Sequence, residues 1–346
     1  MQQTSFNPTN ILVIDFGQLG DVVLSLPALR AIRERFPKSK ITVAVGKTGA
    51  EVINLSGYAD ATLMVDRVAL RDGFTPLSVL QIFKLVKDIR RRDFDFVIDL
   101  HSLSETNLLG FISGAKQRLY SRRPGRSLDF LSNFKPAPPR EDPDLRRHLV
   151  DRYLDVLLPL GIRHAERIPK LQTKATDDRA IDRLLRKAKA DSGVPLVGLF
   201  PGAGHPSRRW PLERFTQLAD FLTRNDQVRV LVFIGPEEKS LVAQIRAQCP
   251  ASAVLMEGLS ISELASALAR LAVFVANDTG PMHIAAAVGT PVVLLLDRRA
   301  PQTYLPLGDR HQTVFNNLIT DLAVEDVYDA ARAVLTGGRT ATLFAS

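Results

Sequence analysis

The sequence predicts an α/β protein of two domains, each built on a parallel β-sheet covered by helices on both faces. Three observations predict it. Short apolar runs alternate with segments of helical period through both halves of the chain, which is the pattern of parallel strands buried on two sides. The 346 residues leave room for two domains of ordinary size. Between the halves, residues 161–178 hold few apolar residues in any period, so this stretch reads as a linker and the domains as residues 1–170 and 171–346.

Residues 11–15 are the first apolar run and 16–20 a tight turn, and over 21–36 Val22, Leu26, Leu29 and Ile32 keep a helical period. A second strand is expected over 41–45, a short helix over 49–55 and a third strand over 62–65. Pro76 suits a first helical turn, which has no N–H partners to lose. Leu77, Leu80, Phe83, Val86 and Ile89 then share one helix face, with basic residues at its end. The fourth strand reads as 96–100. Asp93 and Asp95 mark its entry, at the end opposite any site, and are not read as a metal pair. A helix over 104–112, a strand over 117–120, a Pro-rich charged loop over 135–144 and a helix over 145–158 complete the first half.

In the second half, strands are expected over 196–200, 230–234, near Val254, and over 273–276 and 291–296. Helices are expected over 211–222, 237–247, 261–269 and 324–335, the last a candidate to pack back on the N-terminal domain. Ligands of such sheets bind at the carboxyl ends of the strands.

A composition of 45% hydrophobic and 24% charged residues excludes disordered and collagen-like chains. The single Cys249 excludes an internal disulfide, a paired-cysteine redox site and a Cys/His zinc spacing; no obligatory metal or cofactor is expected. Residues 1–10 lack the features of a secretory signal, and the longest apolar runs fall far short of the roughly 20 residues that span a bilayer. A cytoplasmic protein is expected, with any membrane contact peripheral, at the inner face of the cytoplasmic membrane. The net charge of +8 lies in the first half. Residues 1–174 carry 27 Lys and Arg against 19 Asp and Glu, and the remainder is balanced at 18 each. Lys116, Arg118, Arg122, Arg123 and Arg126 crowd one segment, which reads either as a solvated loop or as the seat of an anionic partner.

Three stretches carry chemistry. Gly17-Gln18-Leu19-Gly20-Asp21 ends the first strand without the three-glycine dinucleotide spacing, which argues against a nicotinamide site. Asp21 there is either a helix-end charge or a general base. Asp99 and His101 end the fourth strand at the same edge. Phe200 to Pro211 join a strand to a helix through Gly202, Gly204, Arg208 and Arg209, with backbone free to approach a diphosphate and charge to neutralise it. In the third stretch a strand ends in Asn277-Asp278-Thr279-Gly280-Pro281, with Asn277 or Asp278 as the expected N-cap. The helix start that follows is either structural or a phosphate site.

Together these stretches resemble glycosyltransferase family 9, the lipopolysaccharide heptosyltransferase-like proteins. The landmarks are Leu19-Gly20-Asp21-Val22 with Leu26-Pro27-Ala28-Leu29, Pro201-Gly202-Ala203 with Arg208-Arg209-Trp210-Pro211, and Asn277-Asp278-Thr279-Gly280 with His283. The resemblance implies a GT-B fold, two Rossmann-like domains facing each other across a cleft. The acceptor lies on the N-terminal domain and a nucleotide-diphosphate sugar, ADP-heptose favoured, on the C-terminal one. It implies Asp21 as catalytic base. Gly202, Arg208, Arg209, Asp278, Thr279, Gly280 and His283 would line the donor diphosphate. Gly20, His101, Lys116, Arg122, Arg123 and Arg126 are assigned to an anionic glycan or glycolipid acceptor. Two departures stand out: Asp15 replaces a residue that is basic in many relatives, and Leu296-Asp297-Arg298-Arg299 replaces a Gly-Pro turn. The expected activity is inverting, metal-independent glycosyl transfer. A nucleotide-sugar-binding accessory protein and a sugar-nucleotide epimerase are the alternatives. Nucleic acid is not an expected partner, since no aromatic sheet face or recognition helix is present.

Overall fold

The computed structural model describes residues 6–65, 76–142, 146–191 and 193–337. The side chains of Leu77 and Leu80, and residues 1–5 and 143–145, on which parts of the sequence reading fell, lie outside the described residues. Two compact units meet in the chain between Pro169 and Lys170.

The first unit runs β1 (Asn10–Asp15), α1 (Leu19–Arg35), β2 (Lys40–Val45), α2 (Lys47–Ser56), β3 (Ala61–Met64), α3 (Pro76–Arg91), β4 (Phe96–Asp99), α4 (Ser104–Ile112), β5 (Gln117–Tyr120) and α5 (Leu149–Asp155). Its sheet has the order β3-β2-β1-β4-β5, and every pair is parallel. The strand in the middle, β1, is buried at every residue after Asn10, which is why it reads as an unbroken apolar run. Asp95 fixes the amino end: its carboxylate accepts from the Thr9 N–H, the Thr9 hydroxyl and the Asn10 N–H. Right-handed crossovers put α1 and α2 on one face and α3 and α4 on the other. The turns after β1 and β4 therefore lie side by side at the carboxyl edge, where Ile14 pairs with Asp99.

The second unit contains α6 (Ala175–Lys187), β6 (Leu196–Phe200), α7 (Leu212–Asn225), β7 (Arg229–Ile234), α8 (Val242–Gln248), β8 (Val254–Glu257), α9 (Ile261–Leu268), β9 (Val273–Asn277), α10 (Gly280–Ala287), β10 (Val292–Asp297), β11 (Gln312–Asn316) and α11 (Val324–Leu335). Its parallel sheet has the order β11-β10-β9-β6-β7-β8. Trp210 is 1% exposed; its indole N–H donates to the Leu322 carbonyl at 3.0 Å and its ring meets Phe215 edge-on. Beside it α11 buries Val324, Val327, Ala330 and Ala331 in the core of this unit. That helix thus completes the C-terminal core.

Three elements differ from the sequence reading. Residues 161–178 are not linker throughout, because α6 begins at Ala175. It buries only Ile181 and Leu185, and its other anchors are polar. Arg270 donates to Asp178 at 3.1 Å and Asp182 at 2.6 Å, and the Ser262 hydroxyl donates to Asp177. The edge strand β11 had no sequence counterpart, being short and only half apolar. The helix expected over 145–158 shortens to α5 followed by a 3-10 turn at Leu158–Leu160.

Candidate functional site

In the first unit Asp21 occupies the first turn of α1, and its Oδ2 accepts from the Gln18 N–H at 2.9 Å. The bond both caps the helix and orients the carboxyl group. Gly17 is required beside it, because a Cβ there would collide with Asp21 Cβ and crowd Asp15 Oδ1. Asp15, 1% exposed, accepts from the Gly17 N–H at 2.9 Å through Oδ1, and that oxygen lies 3.9 Å from His101 Nδ1. Gly20 follows in the first turn of α1. From α5, Tyr153 reaches this group. Burial lifts the pKa of its hydroxyl well above the ordinary value, and the charges of Asp15 and Asp21 add to the rise, so it stays protonated.

Asp99 is fully buried and shapes the neighbouring turn. It accepts from the Ser102 N–H and from Asn107 Nδ2, both at 2.7 Å, and these bonds hold Ser102 at a left-handed φ of 47°. Strain of this kind persists only where the surroundings over-determine it. Burial outweighs the donors and pushes the Asp99 carboxyl up to about 7 from an ordinary 3.8. Between those values the folded chain keeps a proton that the unfolded chain has released, so this group's contribution to stability falls as pH rises from about 4 to about 7 and is flat above. Urea midpoints across that range, wild type minus Asp99→Asn, are expected to show this slope; a flat difference would refute it.

The basic segment divides. Arg122 Nε pairs with Asp129 at 3.1 Å, and Arg123 pairs with Glu141 at 3.5 Å while donating to the His101 carbonyl at 2.8 Å. Arg118 donates to the Ala115 and Leu131 carbonyls. Much of the expected acceptor charge is therefore compensated within the fold, and Arg123 acts on the site by holding the His101 backbone. Arg126 is exposed in the loop beyond β5. Lys116 is a correction: it precedes Gln117 at the amino end of β5, and in a parallel sheet that is the edge opposite Asp21.

In the second unit the expected donor residues converge at the carboxyl ends of β6 and β9. Asn277, expected as a helix cap, is instead the last residue of β9 and is 0% exposed. Its Oδ1 accepts from the Trp210 N–H at 3.0 Å, and its Nδ2 donates to the carbonyls of Pro201 (3.2 Å) and Gly202 (3.0 Å). The cap position falls to Thr279, because Asn277 is held in the strand by these bonds. Asn277→Leu would leave the three backbone groups unpaired and is expected to cost about 3 kcal/mol, read as a lowered urea midpoint; an unchanged midpoint would contradict the role.

Arg208 Nη1 lies 3.5 Å from Asp278 Oδ2, which brings the two donor motifs together. The Thr279 hydroxyl oxygen is buried with no hydrogen-bond partner among the described residues, and Gly280 and Pro281 open α10. Arg209 turns inward and donates to the Ala203 carbonyl at 3.1 Å, so it shapes the loop. His283, expected beside the diphosphate, is 5% exposed within α10. Gly202 is packed against the Glu238 carboxyl, which occupies the space a Cβ would need. Glu238 was missed by the sequence reading. It is 3% exposed, and burial with the neighbouring Glu237 raises its pKa. An acid just past the end of a strand was the available signal. Among the described residues no cluster of three or more His, Cys, Asp or Glu side chains could hold a metal ion.

Two Rossmann-like units, each with its polar residues gathered at the carboxyl edge of a parallel sheet, define an α/β protein of the GT-B class. A model of glycosyltransferase family 9 (heptosyltransferase) matches residues 82–327. The chain belongs to glycosyltransferase family 9 and is a glycosyltransferase. It is 25% identical over 315 residues to a lipooligosaccharide heptosyltransferase 2 of Haemophilus influenzae, covering 87% of each chain. Its fold is that of a family 9 glycosyl transferase from Veillonella parvula (TM-score 0.83, 23% identity, 96% of this chain and 98% of that one). It is also that of the Escherichia coli ADP-heptose lipopolysaccharide heptosyltransferase II (TM-score 0.78, 20% identity, 95% and 99%).

Proposed function

We propose that the protein transfers a heptose from ADP-heptose to an anionic lipopolysaccharide-core glycan, with inversion and without a metal. The observation that carries the reading is Arg208 meeting Asp278 beside the unpartnered Thr279 hydroxyl at the start of α10. These groups form a turn offering a guanidinium, a hydroxyl and helix N–H groups to a diphosphate. The heptosyltransferase activity of the Haemophilus relative and the ADP-heptose donor of the Escherichia coli enzyme support the donor and acceptor class.

In this mechanism the acceptor hydroxyl oxygen forms the new bond to the sugar C1 as the bond from C1 to the diphosphate oxygen breaks, and that oxygen leaves with the electron pair. Asp21 takes the hydroxyl proton. Arg208, Thr279 and the first turn of α10 stabilise the charge that develops on the diphosphate. Asp278, paired with Arg208, orients it. The Glu238 carboxylate, which would repel a phosphate, accepts from hydroxyl groups of the donor nucleoside. His101 and Gly20 contact the acceptor and Arg126 its anionic groups. Such an acceptor sets the work at the inner face of the cytoplasmic membrane.

Ligands selective for the folded state raise its melting temperature by an amount that grows with the logarithm of their concentration relative to Kd. ADP and ADP-heptose are expected to raise Tm at concentrations where UDP, GDP and their sugars do not. Equal shifts for all three nucleotides would contradict the assigned donor.

A further inference from the structure

The helical layer on one face of the N-terminal sheet exposes large apolar side chains that the transfer reaction does not use. On α3, Phe83 is 64% exposed. On α4, Leu108 and Phe111 are 46% and 48% exposed, and Phe130, on the 3-10 turn Asp129–Leu131, is 77% exposed. Specific contacts join the three segments. Arg90 of α3 donates from Nε to the carbonyl of Ile112, at the end of α4, at 2.9 Å. Arg118 lies over the Phe111 ring at 5.3 Å and donates to the Leu131 carbonyl at 3.0 Å. Single exposed apolar residues are ordinary on a soluble protein, whereas a joined group marks a contact surface.

The charge around this group has one dominant sign. Lys84, Lys87, Arg91 and Lys116 are all exposed. The nearby acids are largely taken up: Asp88 pairs with Arg92 at 3.0 Å and Asp129 with Arg122 at 3.1 Å, and Glu105 in the first turn of α4 is the exposed exception. Aromatic side chains rimmed by lysine and arginine on a helical face fit the boundary between lipid headgroups and acyl chains, with the cations meeting anionic headgroups. No helix among the described residues is long and apolar enough to cross a membrane, so the contact is lateral.

We infer that the α3–α4 face, through Phe83, Phe111 and Phe130 with Lys84, Lys87 and Arg91, docks the protein on an anionic phospholipid bilayer. The surface lies on the helical layer and leaves the carboxyl edge of the sheet, with Asp21, open to an acceptor. It gives Lys116 a place that the acceptor assignment did not. The inference deepens the proposed use of a glycolipid acceptor, but vesicle binding is read without turnover, so the two readings fail separately.

The test is flotation of the full chain with vesicles of equal parts phosphatidylethanolamine and phosphatidylglycerol, against vesicles of phosphatidylcholine alone. Wild type is expected to float with the anionic vesicles only and to be released by salt. The triple variant Lys84→Gln/Lys87→Gln/Arg91→Gln is expected to lose on the order of 100-fold in vesicle affinity, and Phe83→Ser/Phe111→Ser/Phe130→Ser at least about tenfold. Both should keep the wild-type Tm and the wild-type turnover on a soluble acceptor fragment. No flotation of the wild type, equal flotation with neutral vesicles, or flotation unchanged in both variants would overturn the inference. So would a dimer of wild type that the Phe variant converts to monomer without a change in vesicle binding, since the face would then join two copies of the chain.

Discussion

Asp21→Asn is expected to lower the rate of sugar transfer on the order of 10² to 10⁴-fold, the range of a general base, while donor affinity stays at the wild-type level. The substitution keeps the local geometry. An asparagine oxygen still accepts from the Gln18 N–H, so the turn that positions the side chain survives. The helix loses one favourable charge in its first turn, worth roughly 0.3–1 kcal/mol, too little to unfold a domain whose core strand is buried from Ile11 onward. What disappears is the ability to take a proton. A fall in turnover with unchanged thermal stability and unchanged ADP binding is therefore the expected pattern. Wild-type turnover would remove Asp21 from the mechanism.

Arg208→Gln is expected to lower kcat/KM on the order of 10² to 10³-fold, the usual effect of removing one group that stabilises developing negative charge. Arg208→Lys should stay within about tenfold of wild type, because a phosphate accepts a point charge and the bidentate fork is the smaller part of the interaction. Stability should hardly move in either variant. The Arg208 side chain is 59% exposed and its contact with Asp278 is long at 3.5 Å, and exposed pairs of this kind contribute little. Steady-state kinetics on both variants separate the readings. Loss in the Gln variant restored by Lys supports charge stabilisation, and equal loss in both assigns Arg208 a shape-dependent role instead.

The strands were legible because parallel strands buried on both faces leave unbroken apolar runs, as β1, β6 and β10 do. Elements held by polar contacts were not. The helix α6 buries two apolar residues and is anchored by Arg270, a partner some 90 positions away that no local period reveals. At the site the turns were visible as glycine-rich breaks after apolar runs, but the uses of individual side chains were less so. Asn277 looked like a cap because an asparagine preceded a helix; its bonds to Trp210, Pro201 and Gly202 depend on strands brought together by folding. Lys116 looked like part of a basic cluster by proximity in sequence, yet the strand that follows it carries the chain the length of the sheet before Arg122 is reached. Glu238 required knowing that β7 ends beside β6.

Metal-independent transfer of a heptose with Asp21 as base is open to direct measurement. Its most direct test is to incubate the purified protein with ADP-heptose and a lipopolysaccharide-core fragment in the presence of EDTA, following ADP release and acceptor mass together. One ADP is expected for each acceptor that gains one heptose, with both products formed on the order of 10² to 10⁴-fold more slowly by Asp21→Asn. Conversion of the donor without an acceptor, or binding of ADP-heptose by the folded protein with no transfer, would contradict it.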